Sequence, residues 1–337
     1  MKILVGISGG VDSALAAKKL IDQGHDVHGA VLIMHEYTEL SAAREAAESV
    51  GIVLHEIDAT KQFACIKENF VSEYTSGRTP NPCVICNERV KFRLLFDYAM
   101  EMGFDAIATG HYANVVKIGG RYALATAEDI KKDQTYMLYR LPQNILEKLI
   151  LPLSRGTKDD VRAEAESSGI SAAKRSDSQE ICFLPEGDHA EYIESVSGKC
   201  PEGNFVDENG NILGRHRGII HYTVGQRKGL GISLGARAFV TRIDPATNVI
   251  TLSTDMKGEK TVHINNIVYS GMAAPNEELE LTLDVKLRYG QRAVKALARI
   301  YPEGRATLTL SAPEKFAPGQ SAVLYSDGVV MLGGFIE

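Results

Sequence analysis

The first half of the chain alternates short apolar runs with patterns of helical period. The runs KILVGIS, HDVHGAVLIM and IVLHEID predict buried strands, and SALAAKKLIDQG and SAAREAAESVG predict the helices between them. Further along, KQFACIKENFVSEYTSG and ERVKFRLLFDYAMEMG predict helices on either side of a proline-rich turn, TPNPCVIC, and FDAIATGHY predicts a strand. Strands that alternate with helices predict an α/β fold with a doubly wound parallel sheet, whose ligand site lies where the strands end.

The pattern changes in the second half of the chain. TKDDVRAEAESSG predicts a helix capped by Thr157, and RSDSQEICF then predicts an extended segment. After about residue 196, glycine turns separate short alternating strands such as RAFVTRIDPATNVITLS, LELTLDVKLRYG and RATLTLS. We therefore expect a small linking module followed by a β-barrel. The predicted domains are residues 1–196, 197–255 and 256–337.

Composition narrows the class of protein. No run approaches the ~20 apolar residues of a membrane span, and the N-terminus lacks the pattern of a secretory signal, so we expect a cytoplasmic protein. Five cysteines are few and odd in number, which favours reactive or metal-binding thiols over a disulfide scaffold. The net charge of −6 does not indicate a nucleic-acid partner. From Lys286 to Arg305, however, six basic side chains accompany one acid, Glu303, which predicts a local basic surface.

The segment SGGVDS directly follows the first predicted strand and opens the first predicted helix. Gly9 and Gly10 let the backbone approach an anion, Ser8 and Ser13 add hydroxyl donors, and the helix contributes its positive end. Asp12 would repel a bare phosphate, so it predicts either a magnesium ion or a positioning role. The loop matches neither a P-loop nor a dinucleotide-binding fingerprint. The plain alternative is a glycine-rich turn without a ligand.

The cysteines are the second candidate for chemistry. Cys83 and Cys86 form a Cys-x-x-Cys pair before a helix rich in Lys and Arg, which predicts a lowered thiol pKa. A zinc knuckle needs a second Cys/His pair, which is missing from the sequence, and a thioredoxin-like pair belongs to a different fold. Two interpretations of the pair remain: a cysteine that acts as a nucleophile, or a cluster in which Cys182 is the third thiol. Cys65, flanked by apolar residues, is expected to be buried and structural, and Cys200 suggests no chemistry.

Several of these motifs resemble known families. SGGVDS is similar to the pyrophosphate loop of the adenine nucleotide alpha-hydrolase-like ATP pyrophosphatases, which cleave ATP between its α and β phosphates. Along essentially the whole chain, seven ordered motifs resemble the family of tRNA-specific 2-thiouridylases: SGGVDS, TPNPCVICNERVKF, ATGHYA, KKDQTYMLYRL, SDSQEICF, YTVGQRKGLGI and APGQSAVLYSDGVVMLGG. The resemblance implies thiolation of the wobble uridine of the tRNAs for Lys, Glu and Gln, with ATP and Mg²⁺. It also implies a persulfide donor, such as a cysteine desulfurase or a sulfur-relay protein.

The resemblance also implies roles for individual residues. Cys182 would carry the persulfide and Cys86 would be its partner thiol, with a transient Cys86–Cys182 disulfide. The residues implied for ATP are Gly6, Ile7, Ser8, Gly9, Gly10, Val11, Asp12, Ser13, Leu32 and Gly110. Those implied for the target base and the tRNA are Asn81, Pro82, Cys83, His111, Lys132, Asp133, Gln134, Arg288, Tyr289 and Gln320.

Alternatives remain open at this point. Lys132 and Asp133 also fit a solvated surface pair, and Arg288 also fits an exposed strand face. Many members of the family have Asp where this chain has Cys83, so three thiols are available and an iron–sulfur cluster is a second possible sulfur chemistry. The segment 33–38 is shorter than the family leads us to expect, which leaves the adenine-side wall open. Competing functions are nitrogen transfer by an ATP pyrophosphatase and a non-catalytic RNA-binding module.

Overall fold

The computed structural model describes residues 1–174, 181–184, 188–232, 237–255 and 257–337. Its α-helices are α1 (Val11–Asp22), α2 (Leu40–Ser49), α3 (Thr60–Thr75), α4 (Pro82–Cys86), α5 (Phe92–Glu101), α6 (Thr135–Leu138), α7 (Gln143–Lys148), α8 (Lys158–Ser167) and α9 (His189–Ser197). Its strands are β1 (Lys2–Gly6), β2 (Asp26–Ile33), β3 (Leu54–Asp58), β4 (Ala106–Ala108), β5 (Asn114–Ile118), β6 (Arg121–Ala125), β7 (Leu149–Ile150), β8 (Gly203–Val206), β9 (Ile212–His216), β10 (Phe239–Asp244), β11 (Val249–Ser253), β12 (Glu259–Tyr269), β13 (Leu279–Lys286), β14 (Val294–Tyr301), β15 (Arg305–Glu314), β16 (Ser321–Ser326) and β17 (Val329–Ile336). None of the helices in the described ranges is both long and apolar enough to cross a membrane.

A parallel five-stranded sheet in the order β3-β2-β1-β4-β7 forms the centre of the N-terminal domain. Successive side chains of β1 point to opposite faces of this sheet. Ile3 and Val5 pack into one buried cluster with α1, and Leu4 packs into a second cluster with Phe92 of α5. Both faces are therefore covered by helices, which confirms the predicted α/β class.

The segment around the paired cysteines is helical, so the prediction of a proline-rich turn there was wrong. Pro82 occupies the start of α4, where its missing N–H costs no hydrogen bond. The chain then runs through a π-helical turn, Asn87–Lys91, into α5. Such a turn often marks a functional site in a helix. The Thr157 cap of α8 is confirmed, because its side chain accepts from the backbone N–H of Asp160, whose carboxylate accepts from the backbone N–H of Thr157.

The C-terminal half is all-β, as expected. A small four-stranded sheet, β10-β11-β8-β9, precedes a ring of six strands, β12-β15-β14-β13-β16-β17, which closes because β12 also pairs with β17. The hairpin β5–β6 was not predicted. It extends from the N-terminal domain and joins the barrel sheet, with Ala125 opposite Val329 of β17.

Buried polar contacts fix the barrel against the N-terminal domain. The Nζ of Lys286 lies 2.9 Å from Oδ2 of Asp133, whose side chain has no exposed surface. Tyr136 donates its hydroxyl to the carbonyl of Ser321 at 2.8 Å. Because a buried charge is stable only when it is paired, this interface specifies one arrangement of the two domains.

The predicted basic surface between Lys286 and Arg305 is largely neutralised. Among the described residues, Arg288 and Arg292 are the two members of the set for which no carboxylate partner is found. The other four form ion pairs: Lys286 with Asp133, Lys295 with Asp284, Arg299 with Glu280 and Arg305 with Glu303. The expectation was wrong because carboxylates pair with most of these cations. Asp284 and Glu280 lie opposite Lys295 and Arg299 on β13. Asp133 comes from the N-terminal domain, and Glu303 lies within the basic stretch itself.

The buried ion pair predicts a large difference between two lysine substitutions in the barrel. Lys286→Met should lower the free energy of unfolding by about 3 kcal/mol, because it leaves the buried Asp133 carboxylate unpaired. Lys295→Met, which breaks the exposed pair with Asp284, should cost less than about 1 kcal/mol. Chemical denaturation of both variants measures the difference. Equal small losses would show that the interdomain pair is not required for stability.

Candidate functional site

The SGGVDS loop is held in place by its own serines. Ser13 donates its hydroxyl to the carbonyl of Gly10 at 2.9 Å and accepts from the backbone N–H of Ser8 at 3.2 Å. Gly9 has a φ of +83°, and a Cβ there would lie 2.7 Å from that of Ala42. Only glycine fits this position, so the loop conformation is built into the sequence.

Gly110 closes the loop from the end of β4. A Cβ on Gly110 would lie 2.5 Å from the backbone carbon of Asp12, so the two backbones touch. The N-cap of α1 is Gly10, and no side chain caps the helix. The first amides of α1 are therefore free of a competing side-chain acceptor, which suits an anion. Leu32 lies near the end of β2, beside β1, so the residues implied for ATP share one edge of the sheet.

Asp12 is paired with a cation that sequence reasoning missed. Lys158 places its Nζ 2.7 Å from both Asp12 carboxylate oxygens, and its side chain is only 9 % exposed. Tyr112 donates its hydroxyl to the same carboxylate at 2.8 Å, and its backbone N–H is accepted by the Gln134 side chain at 2.8 Å. The sequence offered one indication of the position of Lys158: it is the first residue of the helix that the predicted N-cap Thr157 opens.

This arrangement bears on the two roles predicted for Asp12. Because both carboxylate oxygens already contact Lys158, Asp12 fits a positioning role better than direct ligation of magnesium. Within the described ranges, no group of three or more His, Cys, Asp or Glu side chains is arranged to hold a metal ion.

The three candidate thiols differ in exposure. Cys86 is buried, whereas Cys83 and Cys182 are exposed, and all three are free thiols. The Sγ of Cys86 lies 3.9 Å from the Sδ of Met34, just beyond β2. Cys86 is thus close to the sheet edge that carries the SGGVDS loop.

An aromatic cluster anchors the turn that carries Cys182. Phe183 is buried, and its ring centroid lies 5.7 Å from that of Phe63 and 5.3 Å from that of Phe70. The neighbouring thiol remains at the surface while the adjacent ring is held in the core. Residues 175–180 of the predicted extended segment RSDSQEICF lie outside the described residues. Cys182 and Phe183 form a turn, so the prediction was wrong for this part of the segment.

The predicted lowering of the thiol pKa was wrong. Burial raises the pKa of Cys86 to about 12, and the positive charge of Lys91 offsets only part of this effect. Although Cys83 and Cys182 have solvent-exposed surface, neighbouring protein atoms partly desolvate their sulfurs and so raise the pKa of both thiols, again with Lys91 acting in the opposite direction. The charge of Cys182 adds to the upward shift of the Cys86 pKa.

Cys65 is exposed, contrary to the prediction that it is buried. Phe63 and Ile66 of α3 face the core, and Cys65 points away from them while its thiol donates to the carbonyl of Gln62 at 3.1 Å. Apolar sequence neighbours do not bury a helical residue, because adjacent positions lie on different faces.

His111 directly follows Gly110, which contacts the SGGVDS loop. Its Nδ1 is 2.8 Å from Oγ1 of Thr109, and its ring packs near Phe92 at 5.4 Å between centroids. Burial lowers the pKa of His111 to about 3, and Lys91 acts in the same direction. The imidazole is therefore neutral at physiological pH and is suited to exchange hydrogen bonds rather than to supply positive charge.

Asp133 and Gln320, both among the residues implied for tRNA, make side-chain contacts within the protein. The Asp133 carboxylate is buried against Lys286, so Lys132 and Asp133 are not a solvated pair. Gln320 donates its side-chain amide to the carbonyl of Thr79 at 2.8 Å, next to the segment Asn81–Pro82–Cys83. In exposure the ten residues divide as follows: Pro82 and Asp133 are buried, Asn81, His111, Lys132, Gln134 and Gln320 are partly exposed, and Cys83, Arg288 and Tyr289 are exposed.

Three family models match the chain in order. Residues 1–186 match a tRNA methyl transferase HUP domain, residues 190–254 match a tRNA methyl transferase PRC-barrel domain, and residues 259–336 match an aminomethyltransferase β-barrel domain. These matches agree with the observed order of an α/β domain followed by two β modules.

The curated relatives narrow this class to one family. The chain is 40 % identical to the tRNA-specific 2-thiouridylase MnmA 2 of Clostridium botulinum, over 99 % of this chain and 98 % of that protein. It is 40 % identical to MnmA of Clostridium perfringens, over 100 % of this chain and 98 % of that protein. The chain belongs to the family of tRNA-specific 2-thiouridylases.

The solved structures that match the chain in part include one of an RNA-modifying enzyme. It is a complex of a 4-thiouridine synthetase with RNA and bound ATP, with a TM-score of 0.39 and 17 % identity. The match covers 58 % of this chain and 50 % of that one. A similarity of this size does not identify a function.

The Lys158–Asp12 pair predicts weaker binding of ATP, the expected ligand of the loop, when the lysine is removed. Lys158→Met leaves the Asp12 charge uncompensated beside the phosphates, so ATP affinity should fall about tenfold or more. Lys19→Met is the matched control, because Lys19 also joins α1 to α8, through Glu164, but is more exposed. Calorimetric titration with ATP measures both variants. Unchanged affinity in Lys158→Met would exclude a role for this cation.

The positive charge of Lys91 is expected to increase the reactivity of the exposed Cys182 thiol. Because Lys91 lowers the pKa of Cys182, Lys91→Gln should raise that pKa and move the alkylation profile to higher pH. At a fixed pH below the thiol pKa, iodoacetamide should label Cys182 severalfold more slowly, as followed by peptide mass spectrometry. Lys148→Gln, at an exposed residue that ends α7, is the control. An unshifted profile in Lys91→Gln would show that its charge does not reach Cys182.

Proposed function

We propose that this protein is an ATP-dependent tRNA-uridine 2-sulfurtransferase. It exchanges the C2 oxygen of the wobble uridine in the tRNAs for Lys, Glu and Gln for sulfur, releasing AMP and diphosphate. ATP enters as its magnesium complex, and a persulfide donor in the cytoplasm, such as a cysteine desulfurase or a sulfur-relay protein, supplies the sulfur. The observation that carries this proposal is the full-length similarity to the curated 2-thiouridylases.

The first step activates the leaving group. The C2 oxygen of uridine is a poor leaving group, so it attacks the α phosphorus of ATP and expels diphosphate, which forms an adenylated uridine. The uncapped amides of α1 and the Lys158 ammonium suit the negative charge of the departing diphosphate. The proposed ATP residues remain Gly6 to Ser13 with Leu32 and Gly110.

The second step transfers sulfur. The terminal sulfur of a Cys182 persulfide attacks C2, and the C2–O bond breaks to release AMP. Cys86 then attacks the Cys182 sulfur, which breaks the S–S bond, leaves sulfur on C2 and forms a Cys86–Cys182 disulfide. A thiol reductant must return two electrons to restore both thiols. The exposure of Cys182 suits loading by a donor, and the burial of Cys86 suits an attack delayed until the substrate is bound.

The substrate would lie across both large domains. Asn81, Pro82 and Cys83 are proposed to flank the target base, which must leave the anticodon stack to reach the thiols. His111, Lys132, Asp133 and Gln134 are proposed on the N-terminal side of the tRNA. Arg288, Tyr289 and Gln320 are proposed on the barrel side.

The decisive test is a nucleoside analysis. The protein is incubated with ATP, magnesium, a persulfide source and unmodified tRNA. The tRNA is then digested, and the masses of its nucleosides are measured by mass spectrometry. Wild type should yield 2-thiouridine, and Cys182→Ser should yield none while binding tRNA nearly as well as wild type. Cys65→Ser, which removes an exposed thiol on α3, is the matched control and should retain activity.

The outcomes separate the competing chemistries. Absence of 2-thiouridine from wild type with a competent donor would overturn the proposal. Transfer of a methyl group, which the names of the matched domain models include, would give a different mass gain. Loss of tRNA binding in Cys182→Ser would make this cysteine structural. Iron and labile sulfide in anaerobically purified protein would indicate a cluster instead of a persulfide.

A further inference from the structure

The small middle sheet carries a basic surface that differs from the predicted one on the barrel. Between Glu208 and Asp244 the sequence has no acidic residue, although the whole chain has a net charge of −6. This stretch includes the motif YTVGQRKGLGI, which has no role in the steps described above. Its basic residues are Arg215, Arg217, Arg227, Lys228, Arg237 and Arg242.

An open cavity of about 410 Å³ lies within this basic stretch. Arg227 and Arg237 line it, together with Gly229 and Gly231. Both glycines have a positive φ, +75° and +71°, and their lack of side chains leaves room for a ligand to approach the backbone. The cavity is therefore bounded by Arg227 and Arg237 and by the backbone of Gly229 and Gly231, which have no side chains.

Hydrogen bonds fix the segment that carries Arg227. The side-chain carbonyl of Gln226 accepts from the backbone N–H of Thr223 at 3.0 Å, and its amide donates to the carbonyl of Lys228 at 3.0 Å. The backbone N–H of Val240 donates to the carbonyl of Gln226 at 2.9 Å. Because this backbone is braced on both sides, a ligand would meet a preformed site.

The charges at this cavity differ from those on the barrel. Four of the six barrel cations between Lys286 and Arg305 pair with carboxylates. Across the described ranges, no ion pair involves Arg227, Lys228 or Arg237, and all three are exposed. Unpaired arginines at a concave site favour a phosphate, because the guanidinium group matches two phosphate oxygens.

The floor of the cavity belongs to the core that also contains Cys86. Leu230 and Ala238, which line the cavity, are members of the same buried apolar cluster as Cys86 and Phe183. The middle module and the segment that carries the thiols therefore share one core.

We propose that the cavity bounded by Arg227 and Arg237 binds a backbone phosphate of the RNA substrate. This deepens the proposed function and rests on it. The middle module then acts as a third RNA-binding element beside the N-terminal domain and the barrel, and it contacts the RNA through its phosphates without reading sequence.

The test compares tRNA binding at several salt concentrations. An unmodified transcript of a tRNA for Glu is titrated against wild type, Arg227→Gln, Arg237→Gln and the double variant. Each single variant should bind about tenfold more weakly, and the slope of log affinity against log salt should fall by about one per arginine. Arg242→Gln removes the same charge from an arginine paired with Asp244 in the same module, and it should change binding little.

Each other outcome has a defined meaning. Unchanged affinity and salt slope in the double variant would overturn this inference. Unchanged tRNA binding together with slower loading of sulfur onto Cys182 would also overturn the inference. That result would indicate that the cavity is a docking site for the donor protein. A raised KM for ATP with unchanged tRNA binding would assign the cavity to free nucleotide and also overturn it. If wild type does not bind tRNA better than a control RNA of equal length, the proposed function itself fails.

Discussion

The buried ion pair between Asp133 and Lys286 is the contact on which the arrangement of the domains depends. The carboxylate comes from the N-terminal domain and the ammonium from β13, so neither domain can satisfy its own buried charge. Thr135 adds a hydroxyl hydrogen bond to the carboxylate at 2.8 Å. A hydrophobic contact would tolerate sliding, whereas a desolvated charge pair permits one register. The neighbours of these residues along the chain are the proposed RNA contacts on both domains.

The segment that carries Asp133 is linked to the SGGVDS loop through a few side chains. Gln134 follows Asp133 and holds the backbone of Tyr112, whose hydroxyl contacts Asp12, and Asp12 in turn pairs with Lys158. The docking interface and the SGGVDS loop therefore share one continuous network of polar contacts. In such a network the position of each group depends on its neighbours.

The sequence predicted the features that depend on local pattern. Alternation along β1 and the spacing of helical apolar positions defined the α/β sheet, and Gly9 of SGGVDS marked a backbone position that only glycine fits. Contacts between residues far apart in the sequence could not be predicted from local pattern. Lys158 and Asp12 are 146 positions apart, and the acids that neutralise the barrel cations lie on neighbouring strands. The pKa of Cys86 was misjudged because it depends on burial, which the adjacent basic residues do not reveal.

The hairpin β5–β6 has a consequence for how the molecule forms. Its residues precede the barrel by well over a hundred positions, yet β6 finds its sheet partner in β17, the last strand described. During synthesis the hairpin therefore emerges as an unpaired two-stranded ribbon, which is marginally stable alone. Until the barrel closes, it presents strand edges that can pair with another chain. The order of domains along the sequence is thus not the order in which independent folding units are completed.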